Sequence, residues 1–112
     1  MDVATQDRRT QIFESLGKAN EYRLAIAAEK KKISQMPRSK APAYLGDLIE
    51  NTKEPAILSA QVRWLLGALP GKGPRFVDRA FNELDIRTAT RRLRQLTERQ
   101  RVEMAEFVRT NG

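Results

Sequence analysis

Six arginines, Arg87, Arg91, Arg92, Arg94, Arg99 and Arg101, fall within a fifteen-residue stretch that holds a single acid, Glu98. A guanidinium is a planar fork of donors, which suits paired phosphate oxygens and the minor groove of duplex DNA better than a hydrated ammonium does. The stretch therefore points to a polyanion. A second constellation, Leu69-Pro70-Gly71-Lys72-Gly73-Pro74, points the same way. Its glycines let the chain turn tightly and let a phosphate approach the backbone. The N–H groups opening the helix that follows supply donors and partial positive charge. Lys72 and Arg75 flank this cradle, and Pro74 forfeits one donor but fixes the first helical turn. A Pro-Gly turn is also an ordinary connector between helices, so the hairpin gains its meaning from the arginines after it.

Composition removes most catalytic chemistry. The 112 residues include no Cys and no His, which excludes disulfides, thiolate or imidazole metal ligands, Ser-His and Cys-His nucleophile pairs and an imidazole base. No metal or cofactor is expected. Glu103 and Glu106, three apart, read more simply as surface charges among arginines than as a general acid/base pair, and the chain is expected not to be an enzyme. Lys and Arg number 21 against 14 Asp and Glu, a net charge of +7. The excess is uneven: +2 over residues 1–36, zero over 37–55 and +5 over 56–112. A basic stripe of this kind is the electrostatic footprint of a nucleic-acid binder, although it is also compatible with a merely solvated face. The opening MDVATQDRRTQIFE lacks the apolar stretch of a signal peptide, and the longest apolar run, Trp64 to Leu69, cannot span a bilayer. A cytoplasmic protein without membrane contact is expected.

The elements that must position these residues read as helices throughout. From Arg8 to Gln35 apolar residues recur as Ile12, Leu16, Ala19, Ile26 and Ile33. At ~1.5 Å per residue such a helix is about 42 Å long, more than the width of a globule of this size, so one end must project. The stripe thins at Lys30-Lys31-Lys32, which predicts that the C-terminal end leaves the core. The macrodipole favours lysines there in any case. Lys30, Lys31, Lys32, Arg38 and Lys40 form the only other basic surface and the candidate for a second contact. Pro42 opens a short helix to Asn51 with Tyr44, Leu45, Leu48 and Ile49 inward. Pro55 opens a third, with Ile57, Leu58, Val62, Leu65, Leu66 and Leu69 on one side. Trp64 and Tyr44 stand in apolar neighbourhoods and read as core or rim packing. After the hairpin, Val77, Ala80, Phe81 and Leu84 form an inward face, and Asp85 is expected in a left-handed helix stop. The segment from Arg87 to Leu96 is too short and polar for a packed helix. Leu93 and Leu96 can anchor it, leaving Arg91, Arg92 and Arg94 outward together. Thr97-Glu98-Arg99-Gln100 is a capping box for a last helix with Met104, Phe107 and Val108 inward. No strand pattern survives, so the fold class is all-α. A single domain over 1–112 is expected: a long N-terminal helix over 1–36 and a compact helical bundle containing a helix-hairpin-helix module over 55–110.

The stretch LLGALPGKGPRFVDRAFNELDIRTATRRLRQLTERQRVEMAEF resembles the actinobacterial integration host factor. That is the mycobacterial and streptomycete nucleoid protein, which some of their phages also encode. The same half is similar, more distantly, to the helix-two-turns-helix module of a small-subunit ribosomal protein and of formamidopyrimidine-type DNA glycosylases. The likeness covers about residues 57–108. It rests on the Leu-Pro-Gly-x-Gly hairpin, the Arg-Arg-x-Arg turn and a Gln-Arg pair in the last helix. The chain departs from the family at Lys72, where an apolar residue is usual, at Asp85, where glycine is usual, and at Gln95-Leu96-Thr97, where Gly-Leu-Gly is usual.

The resemblance implies a protein that binds double-stranded DNA with little sequence preference, bends and compacts it in the nucleoid, and assists phage site-specific recombination. A monomer is expected, with a phage integrase as a partner in the recombination complex. Its DNA-binding residues would be Gly71, Lys72, Gly73, Arg91, Arg92 and Arg94, with Arg99 and Arg101 as weaker candidates; Arg75 and Arg87 join them on charge and position. The other reading that the architecture permits is an RNA-binding or ribosome-associated module. A glycosylase or lyase is disfavoured because the formamidopyrimidine type needs an N-terminal proline amine, and position 2 here is Asp2.

Overall fold

Prolines and a left-handed aspartate mark the places where the chain changes direction in a computed structural model, which describes residues 3–112, with side chains from Gly17 onward. The helices are α1 (Val3–Gln35), α2 (Ala41–Asn51), α3 (Pro55–Leu58), α4 (Val62–Gly67), α5 (Pro74–Glu83) and α6 (Glu98–Asn111), with one 3-10 turn at Leu93–Gln95. Prolines stand in the first turns of α2, α3 and α5, where the missing N–H is not needed. The described residues contain no named strand, and the all-α class holds.

The core is one cluster running from Ile26 to Val108. Its main layer is α2 against α6, with Leu45 and Ile49 of α2 and Met104 and Val108 of α6 fully buried. The two backbones approach closely at Gly46, where an added Cβ would lie 3.2 Å from the Ala105 carbonyl oxygen and 2.8 Å from Arg109 Cγ. Arg109 clamps the pair from outside, its Nη2 2.6 Å from Asp47 and its Nη1 3.4 Å from Glu50. The expected capping box opens α6: Thr97 Oγ1 accepts from the Gln100 amide at 3.1 Å, and Gln100 Oε1 accepts from the Thr97 amide at 3.0 Å.

The long helix docks by the end opposite to the one predicted. Ile26 and Ile33, one heptad apart, are buried against α3 and α2, whereas Gly17 to Glu21 are exposed. It is the N-terminal part that extends away from the core. The lysine triplet misled because two of its members lie along the body: Lys32 Nζ sits 4.8 Å over the Tyr44 ring and Lys30 Nζ 6.0 Å from the Trp64 ring centre. Long lysine stems cover apolar surface while their charges reach water. Ile12 and Leu16, which begin the predicted stripe, lie outside the described side chains.

The third helix is also two helices rather than one. Ser59-Ala60-Gln61 leaves helical geometry because its backbone pairs with the arginine-rich loop: the Ala60 carbonyl accepts from the Leu93 amide, and the Val62 amide donates to the Arg91 carbonyl, both at 2.9 Å. On α5 the buried face is rotated toward Phe76, whose ring lies 5.4 Å from that of Phe107, while Val77 and Leu84 are half-buried.

Candidate nucleic-acid interface

The hairpin is a tight turn over Leu69-Pro70-Gly71-Lys72. Gly71 has φ +77°, and the Lys72 amide closes the turn onto the Leu69 carbonyl at 3.3 Å. Proline followed by a positive-φ glycine is the type II pattern. Gly73 is extended and caps α5 without a side-chain partner, and an added Cβ there would meet nothing within 4 Å. Among the described residues, the amides of Gly71, Gly73 and Arg75 have no hydrogen-bond partner. They lie at or just before the positive end of α5, an arrangement that receives anions. Lys72 and Arg75 are exposed, with no carboxylate partner among the described residues.

A further cation arrives from outside the motif. A Cβ on Gly71 would fall 2.8 Å from Arg38 Cζ, so the Arg38 guanidinium lies on the face of the turn that glycine leaves open. The sequence groups Arg38 with Lys30–Lys32 and Lys40, whereas its guanidinium lies at the hairpin. Lys31 and Lys40 remain exposed. Lys30 and Lys32 reach toward the Trp64 and Tyr44 rings, as Lys72 Nζ does at 5.5 Å over the Phe76 ring, and Lys32 stays exposed.

The arginine-rich loop begins where α5 ends. Asp85 takes the left-handed conformation, φ +54°, and the Ile86 amide reaches back to the Phe81 carbonyl at 2.8 Å. This is the expected stop, with aspartate where glycine costs less. The loop is then held by its pairing with Ala60–Val62 and by Leu93 and Leu96, buried at 0% and 7% exposure. The arginines on it divide by partner. Arg94 is exposed and Arg91 half-buried, and neither has a side-chain partner among the described residues. Arg92 does not point outward with them: its Nη1 donates to the Ser59 carbonyl at the break between α3 and α4. Arg87 is exposed, 3.5 Å from Asp85. Arg99 pairs with Glu103 at 2.9 Å. Arg101 is turned inward, Nε to the Ile49 carbonyl at 2.9 Å and Nη2 to the Thr52 carbonyl at 2.8 Å, capping the orphan carbonyls at the end of α2.

Hairpin and loop share one cleft of about 520 Å³. Lys72, Gly73 and Pro74 line it from the hairpin, Val77 and Phe81 from α5, and Ala89 from the loop; Arg63 and Trp64 line it from α4. Arg63 is exposed and lies outside the sequence-based candidates, which on this helix are confined to its apolar side. Its position four residues before Gly67, on the polar side of that stripe, was the available signal. No family model, curated protein or solved structure matches the chain.

Proposed function

We propose that the chain binds double-stranded DNA through the phosphate backbone with little sequence preference and bends it, acting as a nucleoid-associated protein of the integration host factor kind. The observation that carries this reading is the hairpin. Unpartnered amides at Gly71, Gly73 and Arg75 lie beside three cations, Arg38, Lys72 and Arg75, that have no carboxylate partner among the described residues. One strand's phosphates seat on the hairpin, and Arg91 and Arg94 engage phosphates across the cleft. Contacts of this type position a protein without reading bases, so discrimination between sequences is weak. Neutralising phosphates on one side of a duplex leaves the other side's repulsion unopposed and favours curvature toward the protein. A bent duplex is the substrate that a recombinase needs, which is how such a protein assists phage site-specific recombination.

The test is a gel shift and a circularisation assay on short duplexes with Lys72/Arg91/Arg94→Ala. Arg92 is left in place because it tethers the backbone at Ser59. The variant is expected to keep its melting temperature and to lose duplex affinity and circularisation together. Duplex binding equal to that of the parent across salt concentrations overturns the assigned face. Displacement of labelled duplex by structured RNA far more readily than by unlabelled DNA makes the protein an RNA binder instead.

A further inference from the structure

We infer that the cleft between the hairpin, α4 and the arginine-rich loop receives a single unpaired nucleotide of a DNA strand. This inference rests on the duplex-binding reading above and adds a substrate preference to it. Phosphates and sugars explain the hairpin, but they do not explain an apolar hollow beside it. Trp64 and Val77 are half-buried and Phe81 is almost fully buried, and all three line the cleft. A base is the part of a nucleic acid with an apolar face, and aromatic side chains hold bases in a manner tolerant of sequence.

The charges around the hollow fit the rest of the nucleotide. Lys72 and Arg63 line the cleft, and Lys30 Nζ stands 6.0 Å from the Trp64 ring centre. None of the three has a carboxylate partner among the described residues. The indole N–H of Trp64 likewise has no acceptor among the described residues and is not buried without a partner. Lys72 and Gly73 belong both to the hairpin and to the cleft. A strand whose phosphate rests on the hairpin therefore brings the neighbouring base to the mouth of the hollow. Within a paired duplex that base stays stacked, whereas at a bulge or a flap it is free to enter.

Asp78 is the one acid lining the cleft, exposed and without an ion pair among the described residues. A carboxylate accepts hydrogen bonds from the exocyclic amines of adenine, cytosine and guanine, and thymine has none. An unpaired thymine offers a carboxylate only its imide N3–H, so the cleft is expected to hold amine-bearing bases more tightly.

Trp64 is the only tryptophan of the chain and reports occupancy by its fluorescence. The wild-type protein is titrated with a paired duplex, with the same duplex carrying one unpaired adenine, with one carrying an unpaired thymine, and with a short acidic peptide containing leucine. The adenine bulge is expected to quench Trp64 and to bind about fivefold tighter than the paired duplex, with the thymine bulge between them. Gly67 lines the cleft, and a Cβ there meets nothing within 4 Å, so Gly67→Leu fills the hollow from an open position. Gly67→Leu is expected to keep the melting temperature and the affinity for paired duplex and to lose the bulge preference. Equal binding and quenching by paired and bulged duplexes in the wild-type protein overturns the inference while leaving duplex binding intact. Failure of every duplex to bind removes both readings, and quenching by the acidic peptide alone makes the cleft a protein-docking site.

Discussion

Arg94 and Arg101 look alike in the sequence, yet the structure gives them different work. Arg101 donates to the carbonyls of Ile49 and Thr52, at the end of a helix far away in the chain, whereas Arg94 has no partner among the described residues. Arg101→Ala is therefore expected to lower stability by about 1–2 kcal/mol, since hydrogen bonds from charged groups are the stronger ones and this pair is only partly shielded from water. The check is a thermal melt without DNA. Arg94→Ala leaves the melt unchanged, weakens duplex binding uniformly across sequences and reduces the salt slope by about 1. No local pattern separates the two arginines, because the acceptors that claim Arg101 lie about fifty residues upstream. Gly46 was equally silent in the sequence. A methyl there meets the Ala105 carbonyl at 3.2 Å as well as the more pliant Arg109 side chain, so Gly46→Ala is expected to destabilise by about 1–3 kcal/mol in the same melt.

Among the elements, α1 depends on a small polar contact for part of its hold on the body. The Tyr44 hydroxyl donates to Glu29, and Lys32 stands over the same ring. Burial, and then the hydrogen bond to Glu29, hold the Tyr44 hydroxyl above the ordinary tyrosine value. The Lys32 ammonium is likewise held above the ordinary lysine value, chiefly by its interaction with Tyr44. Both shifts are upward, so both contributions are complete below the unfolded values, near pH 10, and are lost as pH climbs through the raised ones. Far-UV circular dichroism melts are expected to show an alkaline loss of stability that Tyr44→Phe abolishes. Much of this level was legible in advance. Pro42, Pro55 and Pro74 announced three helix starts, Asp85 a stop and Thr97 a cap, because each acts within a turn of its own position. The break at Ser59–Gln61 was not legible, since it follows from a backbone partner supplied by Arg91 to Leu93. The docked end of α1 was hidden for a similar reason: lysine stems over Tyr44 and Trp64 resemble, in sequence, a solvated tip.

For the whole molecule the radius of gyration, 16.7 Å, exceeds the roughly 13 Å of a compact chain of this length, consistent with the 60 Å extent of the longest axis. Besides Lys18, Arg23, Lys31, Lys40 and Lys53 elsewhere, exposed cations without a carboxylate partner among the described residues include Arg38, Arg63, Lys72, Arg75 and Arg94 around the hairpin, the cleft and the loop. If about six phosphates are neutralised there, log K falls against log[salt] with a slope of roughly −5, and a slope near −1 leaves no room for so broad a face. A titration by fluorescence anisotropy measures it. The backbone pairing of Gln61 with Arg92 closes that face. During synthesis, a chain that has emerged only as far as Thr90 lacks this partner, and Pro55 to Gly67 is free to run as one uninterrupted helix. Kink and loop therefore form together, each supplying the backbone partner that the other lacks.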